Sequence, residues 1–293
     1  MGVPNDISAG ERNKNTTIFL HIPKSAGQTL FQILDREYKR SNIYTFQGGR
    51  RRLAASIEEF KQLPSAERNR YHLLRGHVSF GVHHLVEQPF TYVTILRDPI
   101  ARIVSHYNYV LRTPAHALHD LATSSGMDIA RYVSSGISTE LNNGQVRMIA
   151  GVGSSVPFGE CNESHFAKAI SNLETHFSVV GLTDRFDETI LLMHQNLYWR
   201  KLPYYTKRNV TKQRTDVMRL TAVTINLIRQ YNALDCRLYD YAVQKFEEAV
   251  IRLPLGLQQR FQRLNSAYYP YGRTMFKVNS WLRVLYKSYR GKM

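Results

Sequence analysis

The sequence predicts an α/β fold in which a parallel sheet is flanked by helices on both faces. Short runs of apolar and β-branched residues recur along the chain, as is typical of buried strands. Each run is followed by a turn and, in most cases, by a segment whose apolar residues repeat at helical spacing. Alternating strands and helices imply parallel pairing with crossover helices. Because ligands of such sheets bind beyond the carboxyl ends of the strands, residues that follow predicted strands are the first candidates for a site.

The first predicted strand comprises residues 17–22, TIFLHI, and the loop PKSAGQ follows it. Thr29 is predicted to cap the next helix, in which Leu30, Ile33 and Leu34 share one face. The loop contains Gly27 and leads into a helix N-terminus, where backbone N–H groups attract anions. This order of strand, glycine-containing loop and helix indicates a P-loop-type sheet.

The later elements repeat this pattern. A strand at residues 71–74 leads into Arg75-Gly76-His77, and a strand at 91–96 ends at Arg97-Asp98-Pro99. Pro99 suits the first turn of a helix, whose predicted apolar stripe comprises Ile100, Ile103, Val104, Tyr107 and Leu111. A fourth strand is predicted at 177–182, and further helices are predicted at 184–199, 215–230 and 234–251.

The chain is predicted to have three parts: a flexible tail at residues 1–15, one domain at 16–250 and a basic helical extension at 251–293. The extension carries nine Lys or Arg and no Asp or Glu. It predicts either a helix packed on the domain with a solvated basic face, or a contact with a membrane surface or another polyanion.

The composition favours an anionic partner. The 293 residues include 39 Lys and Arg against 23 Asp and Glu, which gives a net charge of +16. Two cysteines exclude a disulfide scaffold and a cysteine-rich metal site. No apolar run reaches the roughly 18 residues of a membrane span, and the N-terminus lacks the apolar core of a signal peptide. These features predict a cytoplasmic protein.

The loop around Lys24 is a candidate phosphate site. It is not a Walker A motif, because that motif places its lysine after the second glycine, whereas Lys24 precedes Gly27. An ammonium, a glycine turn and a helix start nevertheless suit a phosphate group. The alternative is an ordinary strand-to-helix turn with a surface lysine.

The segment LRDPIARIVSHY is a second candidate. Arg97 ends a strand, and Ser105 lies about two helical turns further along. Arg forms charge-assisted bonds to phosphate, so this pair suits a second phosphate group. Alternatively, Arg97 pairs with Asp98 or caps the helix while Ser105 faces solvent.

Together these motifs resemble those of the family-2 sulfotransferases, the heparan sulfate 2-O-sulfotransferase-like group. HIPKSAGQTL is similar to the 5′-phosphosulfate loop of that family, LRDPIARIVSHY to its 3′-phosphate element, and RGHVSFGVH to the strand-end segment between them. The resemblance continues through LNNGQVRMIAG and FSVVGLTDRFDETILLM and covers roughly residues 17–250.

The resemblance implies in-line transfer of a sulfuryl group from 3′-phosphoadenosine 5′-phosphosulfate (PAPS) to a carbohydrate hydroxyl, without a metal ion. Lys24 would stabilise charge on the bridging oxygen. His77 would take the proton of the acceptor hydroxyl, a role that suits histidine at neutral pH. The donor would be held by Lys24, Ser25, Ala26, Gly27, Gln28 and Thr29 around the 5′-phosphate, by Arg97 and Ser105 on the 3′-phosphate, and by Lys212 and Arg214 from the far side.

The expected partner is a carbohydrate acceptor, acidic ones included, and no nucleic-acid motif is present. His106, His116, His119 and the LNNGQVRMIAG stretch either line the acceptor cleft or hold surface and capping positions. The basic run GGRRR at residues 48–52 predicts a solvated loop. Two other functions stay open: a nucleotide-dependent phosphotransferase, which the missing Walker A order disfavours, and a non-enzymatic polyanion-binding protein.

Overall fold

The computed structural model describes residues 15–205 and 217–268. The strands found there are β1 (Thr16–Leu20), β2 (Ile43–Thr45), β3 (Leu73–Gly76), β4 (Phe90–Leu96) and β5 (Phe177–Leu182). They form one sheet in the order β2-β3-β1-β4-β5, and every neighbouring pair is parallel. All residues of β1 are buried, which a central strand achieves when helices cover both faces of its sheet. The predicted α/β fold is confirmed.

Helices fill the connections between these strands and follow the last of them. Those described are α1 (Gly27–Glu37), α2 (Arg50–Gln62), α3 (Ser65–Arg68), α4 (Pro99–Leu111), α5 (His119–Ser124), α6 (Ile129–Ser134), α7 (Gly144–Ile149), α8 (Glu163–His176), α9 (Phe186–Asn196), α10 (Ala222–Tyr231) and α11 (Ala233–Val250). Helix α1 buries Leu30, Ile33 and Leu34, as their spacing predicts. Helices α4, α5, α6 and α10 enclose a second apolar cluster beside the main core.

The long elements match the predictions apart from their ends. Strand β5 has the predicted bounds, and β4 starts one residue earlier than predicted. Strand β1 ends at Leu20, so His21 already belongs to the loop. The helices predicted at 184–199 and 234–251 are α9 and α11. The helix predicted at 215–230 is α10, which begins only at Ala222, where Thr221 caps it.

Two local predictions are wrong, and one strand was missed. The basic run at 48–52 is not a loop throughout, because α2 begins at Arg50, directly after Gly49. Thr29 does not cap α1, since the helix already begins at Gly27 and Thr29 lies inside its first turn. Strand β2 was not predicted, because three partly exposed residues give no apolar run and no alternation to recognise.

The register of the sheet places two histidines side by side. Leu20 pairs with Gly76, and the amide of His21 donates to the carbonyl of Gly76 at 2.9 Å. His21 and His77, the next residues on the two strands, are therefore cross-strand neighbours on the same face. Strand β4 pairs with β1 on its other side, so Arg97 emerges at the same carboxyl edge.

The chain continues to pack on the main core after α11. Leu253 and Phe261 are buried there, and residues 255–268 are helical. The rest of the predicted extension, residues 269–293, and the predicted tail up to residue 14 lie outside the described residues. Within the described ranges, no helix is both long and apolar enough to cross a membrane. Cys161 and Cys236 are free thiols.

Candidate active site

The loop between β1 and α1 has a curled backbone. Lys24 and Ala26 have left-handed conformations, with φ of 71° and 56°, which are costly for residues that carry a side chain. Among the described residues, the amides of Ala26, Gly27 and Gln28 donate to no protein acceptor. Amides presented in this way at a helix N-terminus form a concave site for an anion.

Two further features of this loop fit a phosphate group. The hydroxyl of Ser25 is buried and has no hydrogen-bond partner in the part of the chain described. Burying a hydroxyl without a hydrogen-bond partner lowers stability by about 1–3 kcal/mol. An oxyanion bound in the loop would supply the missing acceptor. At Gly27, an added Cβ would overlap the ring of His21, so the start of α1 requires glycine.

Lys24 is a partly desolvated ammonium aimed at the face of an aromatic ring. Its Nζ lies 3.9 Å from the ring centroid of Tyr109. Burial, and after it the charges of Arg112 and Arg97, lower the pKa of Lys24 to about 8. A cation crowded by two guanidinium groups gains strongly from a bound anion. The predicted phosphate site is therefore electropositive.

Arg97, in the predicted 3′-phosphate segment LRDPIARIVSHY, contacts the loop. Its guanidinium donates from NH1 to the carbonyl of Lys24 at 2.9 Å. Asp98, with which Arg97 was alternatively expected to pair, instead caps α4 by accepting the amide of Ala101 at 2.8 Å. Arg97 therefore braces the donor loop, and this structural contact exists beside any contact with a 3′-phosphate.

One face of α4 lies toward the loop. Ser105, Tyr109 and Arg112 are spaced by four and three residues, so they share that face. The contact between Lys24 and Tyr109 identifies it as the face nearest the loop. Ser105 is half-buried there. Tyr109 and Arg112 were missed by the sequence analysis, although their spacing from Ser105 was a usable signal.

The LNNGQVRMIAG stretch is a buried scaffold. Asn142, Asn143, Gln145 and Arg147 are at most 5% exposed, so they do not line an open cleft. The side chain of Gln145 holds the backbone of Arg97 with two hydrogen bonds of 2.9 and 3.0 Å.

Asp235 anchors this scaffold from a distant part of the sequence. Its buried carboxylate accepts the amides of Gln145 at 3.1 Å and Val146 at 2.8 Å at the start of α7. Its Oδ2 also lies 3.5 Å from NH2 of the buried Arg102. Leaving either partner alone would strand a buried charge. This network fixes the position of Arg97 at the sheet edge.

His77 has its tautomer set by the neighbouring strand. Its Nδ1 lies 2.8 Å from the carbonyl oxygen of His21. Because a carbonyl accepts and never donates, Nδ1 carries the proton, and Nε2 of the neutral ring is left as the proton acceptor. The ring is half-buried and close to Gly48. This is the arrangement that a general base requires.

A second histidine, His106, contacts a tyrosine and a glutamate. Nδ1 of the buried His106 lies 2.9 Å from the hydroxyl of Tyr132, and Nε2 lies 3.4 Å from Oε2 of Glu140. Burial raises the pKa of Glu140, but its hydrogen bond to His106 and the charges of His106, His77 and Arg102 lower it to about 2. Glu140 is therefore ionised at neutral pH, and 48% of its side chain is exposed.

The other predicted residues either make local structural contacts or lie outside the described part of the chain. His119 holds a capping position, with Nδ1 2.9 Å from the carbonyl of Val110, and Nδ1 of His116 accepts the amide of Leu118 at 3.2 Å. Lys212 and Arg214 lie outside the described residues. The structure brings the donor-loop residues, Arg97 and His77 to one edge of the sheet, and Ser105 lies on the helix face turned toward that loop.

Comparison with known proteins assigns the chain to a family. The model of the galactose-3-O-sulfotransferase family matches residues 4–267. The chain belongs to this family. The resemblance drawn from the motifs is thus confirmed for carbohydrate sulfotransferases as a class, and the family that matches is the galactose-3-O group rather than the heparan sulfate 2-O group.

Relatives of known name agree with this assignment. Human galactose-3-O-sulfotransferase 3 is 25% identical over 280 residues, which cover 86% of this chain and 61% of the relative. Heparan-sulfate 6-O-sulfotransferase 3-B of Danio rerio is 30% identical over 186 residues, 54% of this chain and 42% of the relative. The chain thus spans about three fifths of its galactose-3-O relative. The structure of mouse SULT7A1 complexed with PAP aligns with 75% of this chain and 63% of that chain, at a TM-score of 0.39 and 12% identity.

The predicted cytoplasmic location is wrong. That prediction rested on the polar N-terminal residues of the sequence and on its short apolar runs. The relatives are named for galactose and heparan sulfate, and a cytoplasmic location conflicts with the lumenal role of this family.

Proposed function

We propose that this chain is a PAPS-dependent O-sulfotransferase that moves a sulfuryl group to a hydroxyl of a carbohydrate. The observation that carries the proposal is the meeting of a phosphate loop and a general base at adjacent strand ends. The loop follows β1, the base His77 follows β3, and the hydrogen bond of 2.8 Å between Nδ1 of His77 and the carbonyl of His21 joins them.

The donor would be held by the loop between β1 and α1 and by the predicted 3′-phosphate segment LRDPIARIVSHY. The amides of Ala26, Gly27 and Gln28, the unpartnered hydroxyl of Ser25 and the hydroxyl of Thr29 in the first turn of α1 suit the 5′-phosphate. Arg97 and Ser105 suit the 3′-phosphate, and Lys212 and Arg214 are proposed to close over the nucleotide.

The reaction would pass the acceptor proton to Nε2 of His77. The acceptor oxygen forms a bond to sulfur as the bond between sulfur and the bridging oxygen breaks, and that oxygen keeps the electron pair. The ammonium of Lys24 meets the charge that develops there, so it stabilises the transition state more than the ground state. His77 thus acts on the attacking oxygen and Lys24 on the leaving oxygen of an in-line transfer.

The acceptor side favours a neutral, hydroxyl-rich sugar at the reacting position. We place the half-exposed Glu140 carboxylate on the acceptor side, because the charge of His77 acts on it. There it would accept hydrogen bonds from sugar hydroxyls and repel carboxylate or sulfate groups. Galactose, named in the relatives, has this chemistry. Acidic groups elsewhere on the acceptor remain compatible with the basic chain.

The experiment is transfer of labelled sulfate from PAPS by the purified full chain onto a panel of glycans. The panel contains terminal galactosides, uronate-containing glycosaminoglycan fragments and a matched galacturonide. We expect labelled galactoside and release of adenosine 3′,5′-bisphosphate. Transfer of phosphate from ATP with magnesium, or glycan binding without any transfer, would favour the phosphotransferase or polyanion-binding alternatives.

Substituting Arg97 by Ala is expected to weaken the binding of adenosine 3′,5′-bisphosphate by about 1.5–3 kcal/mol, because a charged hydrogen bond is lost. Adenosine 5′-phosphosulfate, which lacks the 3′-phosphate, should lose less, and only through the lost brace on the Lys24 carbonyl. Calorimetry with both nucleotides measures the difference. Equal losses would mean that Arg97 acts as a brace alone.

Nucleotide affinity is expected to fall as pH rises above about 8. In the free protein the pKa of Lys24 is about 8, and a bound polyanion raises it. Binding is therefore full below that pH, and above it weakens by up to about tenfold per unit. Titration calorimetry between pH 7 and 9 measures the slope. A Lys24→Arg variant, whose guanidinium stays charged, should bind with little pH dependence, and the same slope in both proteins would exclude Lys24 as its source.

A further inference from the structure

His21 is a buried histidine to which the mechanism above gives no side-chain role. Only 5% of it is exposed. Its ring packs against Phe19 with centroids 5.3 Å apart and edge-on against Phe31 at 5.1 Å. On a third side it stacks on His77, with centroids 4.3 Å apart and an interplanar angle of 27°. The ring is thus enclosed, and one of its contacts is the base itself.

The same ring also touches the donor loop. It lies against the Cα of Gly27, so closely that a methyl group there would overlap it. A single side chain therefore separates the first residue of α1 from the plane of His77. Burial, and then the charges of His77 and Lys24, keep the pKa of His21 well below its usual range. The ring is neutral at working pH and does not compete for the acceptor proton.

We propose that His21 is a positioning residue that sets the general base against the donor loop. Its carbonyl fixes the proton on Nδ1 of His77, and its ring, wedged between Gly27 and His77, fixes the plane of the base. Nε2 of His77 is thereby held at a constant place relative to a sulfuryl group in the loop. The inference rests on the proposed function, since it concerns the same reaction.

A double-mutant cycle on the full chain tests this inference. His21→Ala is expected to lower kcat by about 10–100-fold, because a base displaced by about 1 Å loses much of its effect. The KM for PAPS and the affinity for adenosine 3′,5′-bisphosphate should change by less than about threefold. In a His77→Ala background the same substitution should lower the residual rate no further, because no base remains to be positioned.

His21→Phe separates the ring from its nitrogens. It keeps an aromatic ring at this position and removes both nitrogens, of which Nδ1 has no hydrogen-bond partner among the described residues. Because the phenyl ring is larger than imidazole and Gly27 lies against it, thermal unfolding of the variant checks that the fold is retained. We expect it to recover most of the rate. His72→Ala is the matched control, since His72 precedes β3 and lies about 16 Å from His77 along the strand; it should leave kcat unchanged.

The outcomes separate this inference from the proposed function. Additive losses in the cycle, or a His21→Phe variant as slow as His21→Ala, would overturn the positioning role. An equal loss of nucleotide affinity and kcat in His21→Ala would also overturn it. Absence of sulfate transfer by the unmodified chain would defeat the proposed function itself.

Discussion

Substituting His77 by Ala is expected to lower the rate of sulfuryl transfer by about 10²–10⁴-fold, the usual effect of losing a general base. Donor affinity should be nearly unchanged, because the loop amides, Lys24 and Arg97 come from other strands and bind independently of the imidazole. Single-turnover transfer of labelled sulfate gives the rate, and calorimetry with adenosine 3′,5′-bisphosphate gives the affinity.

The control for this prediction is His84→Ala. His84 is exposed and lies on the turn before β4, at the amino end of the sheet, so it should leave the rate unchanged. A His77→Ala variant with nearly full activity would remove His77 from the mechanism. Loss of nucleotide affinity in parallel with the rate would instead show that His77 supports the loop.

The strongest predictions of the fold came from strands that are largely buried. Strands β1, β4 and β5 consist almost entirely of apolar and β-branched residues, so they are recognisable without knowledge of their neighbours. Strand β2 is three residues long and gains its place from pairing with β3. Its sequence carries no comparable signal, because the pairing partner supplies the stabilisation.

The site divides in the same way. The donor loop and Arg97 are local motifs that follow strands, so spacing and chemistry identified them. Asp235 lies 90 residues beyond Gln145 in the sequence, and its link to Arg97 through Gln145 depends on tertiary packing. The stack of His21 on His77 likewise depends on β1 and β3 being adjacent and in register. Neither fact is contained in a local pattern.

Several functional residues of the site are held in place by a hydrogen bond to a neighbouring functional residue. The carbonyl of His21 holds the proton of His77, Arg97 holds the carbonyl of Lys24, and Gln145 holds the backbone of Arg97. Such chains transmit the loss of one member to the next. We therefore expect substitutions at Gln145 and Asp235, which hold the backbone of Arg97 in place, to affect both nucleotide binding and rate, whereas substitutions of groups that act in the reaction should separate the two.

Removing the charge of Lys24 is expected to lower the rate of transfer more than it lowers the affinity for the donor. Lys24→Met keeps a long stem over the ring of Tyr109 and removes the ammonium, which lies 3.9 Å from the ring centroid. Losing one preorganised group that faces developing charge costs about 10²–10³-fold in kcat. Donor affinity should fall by less, because charge on the bridging oxygen is largest in the transition state. Lys24→Arg should recover part of the rate, since a planar guanidinium does not reproduce a compact ammonium.

A chelator completes this last test. The mechanism assigns the charge on the leaving oxygen to Lys24 and the loop amides, so excess EDTA is expected to leave the rate of the unmodified chain unchanged. Rates of the unmodified chain and both Lys24 variants are measured with and without EDTA, alongside nucleotide affinities by calorimetry. Activity that is lost with EDTA and restored by magnesium would transfer the role of Lys24 to a metal ion and favour phosphotransfer. A Lys24→Met variant that loses donor affinity as strongly as kcat would reduce Lys24 to a binding group, because its contribution would then be equal in the ground state and the transition state.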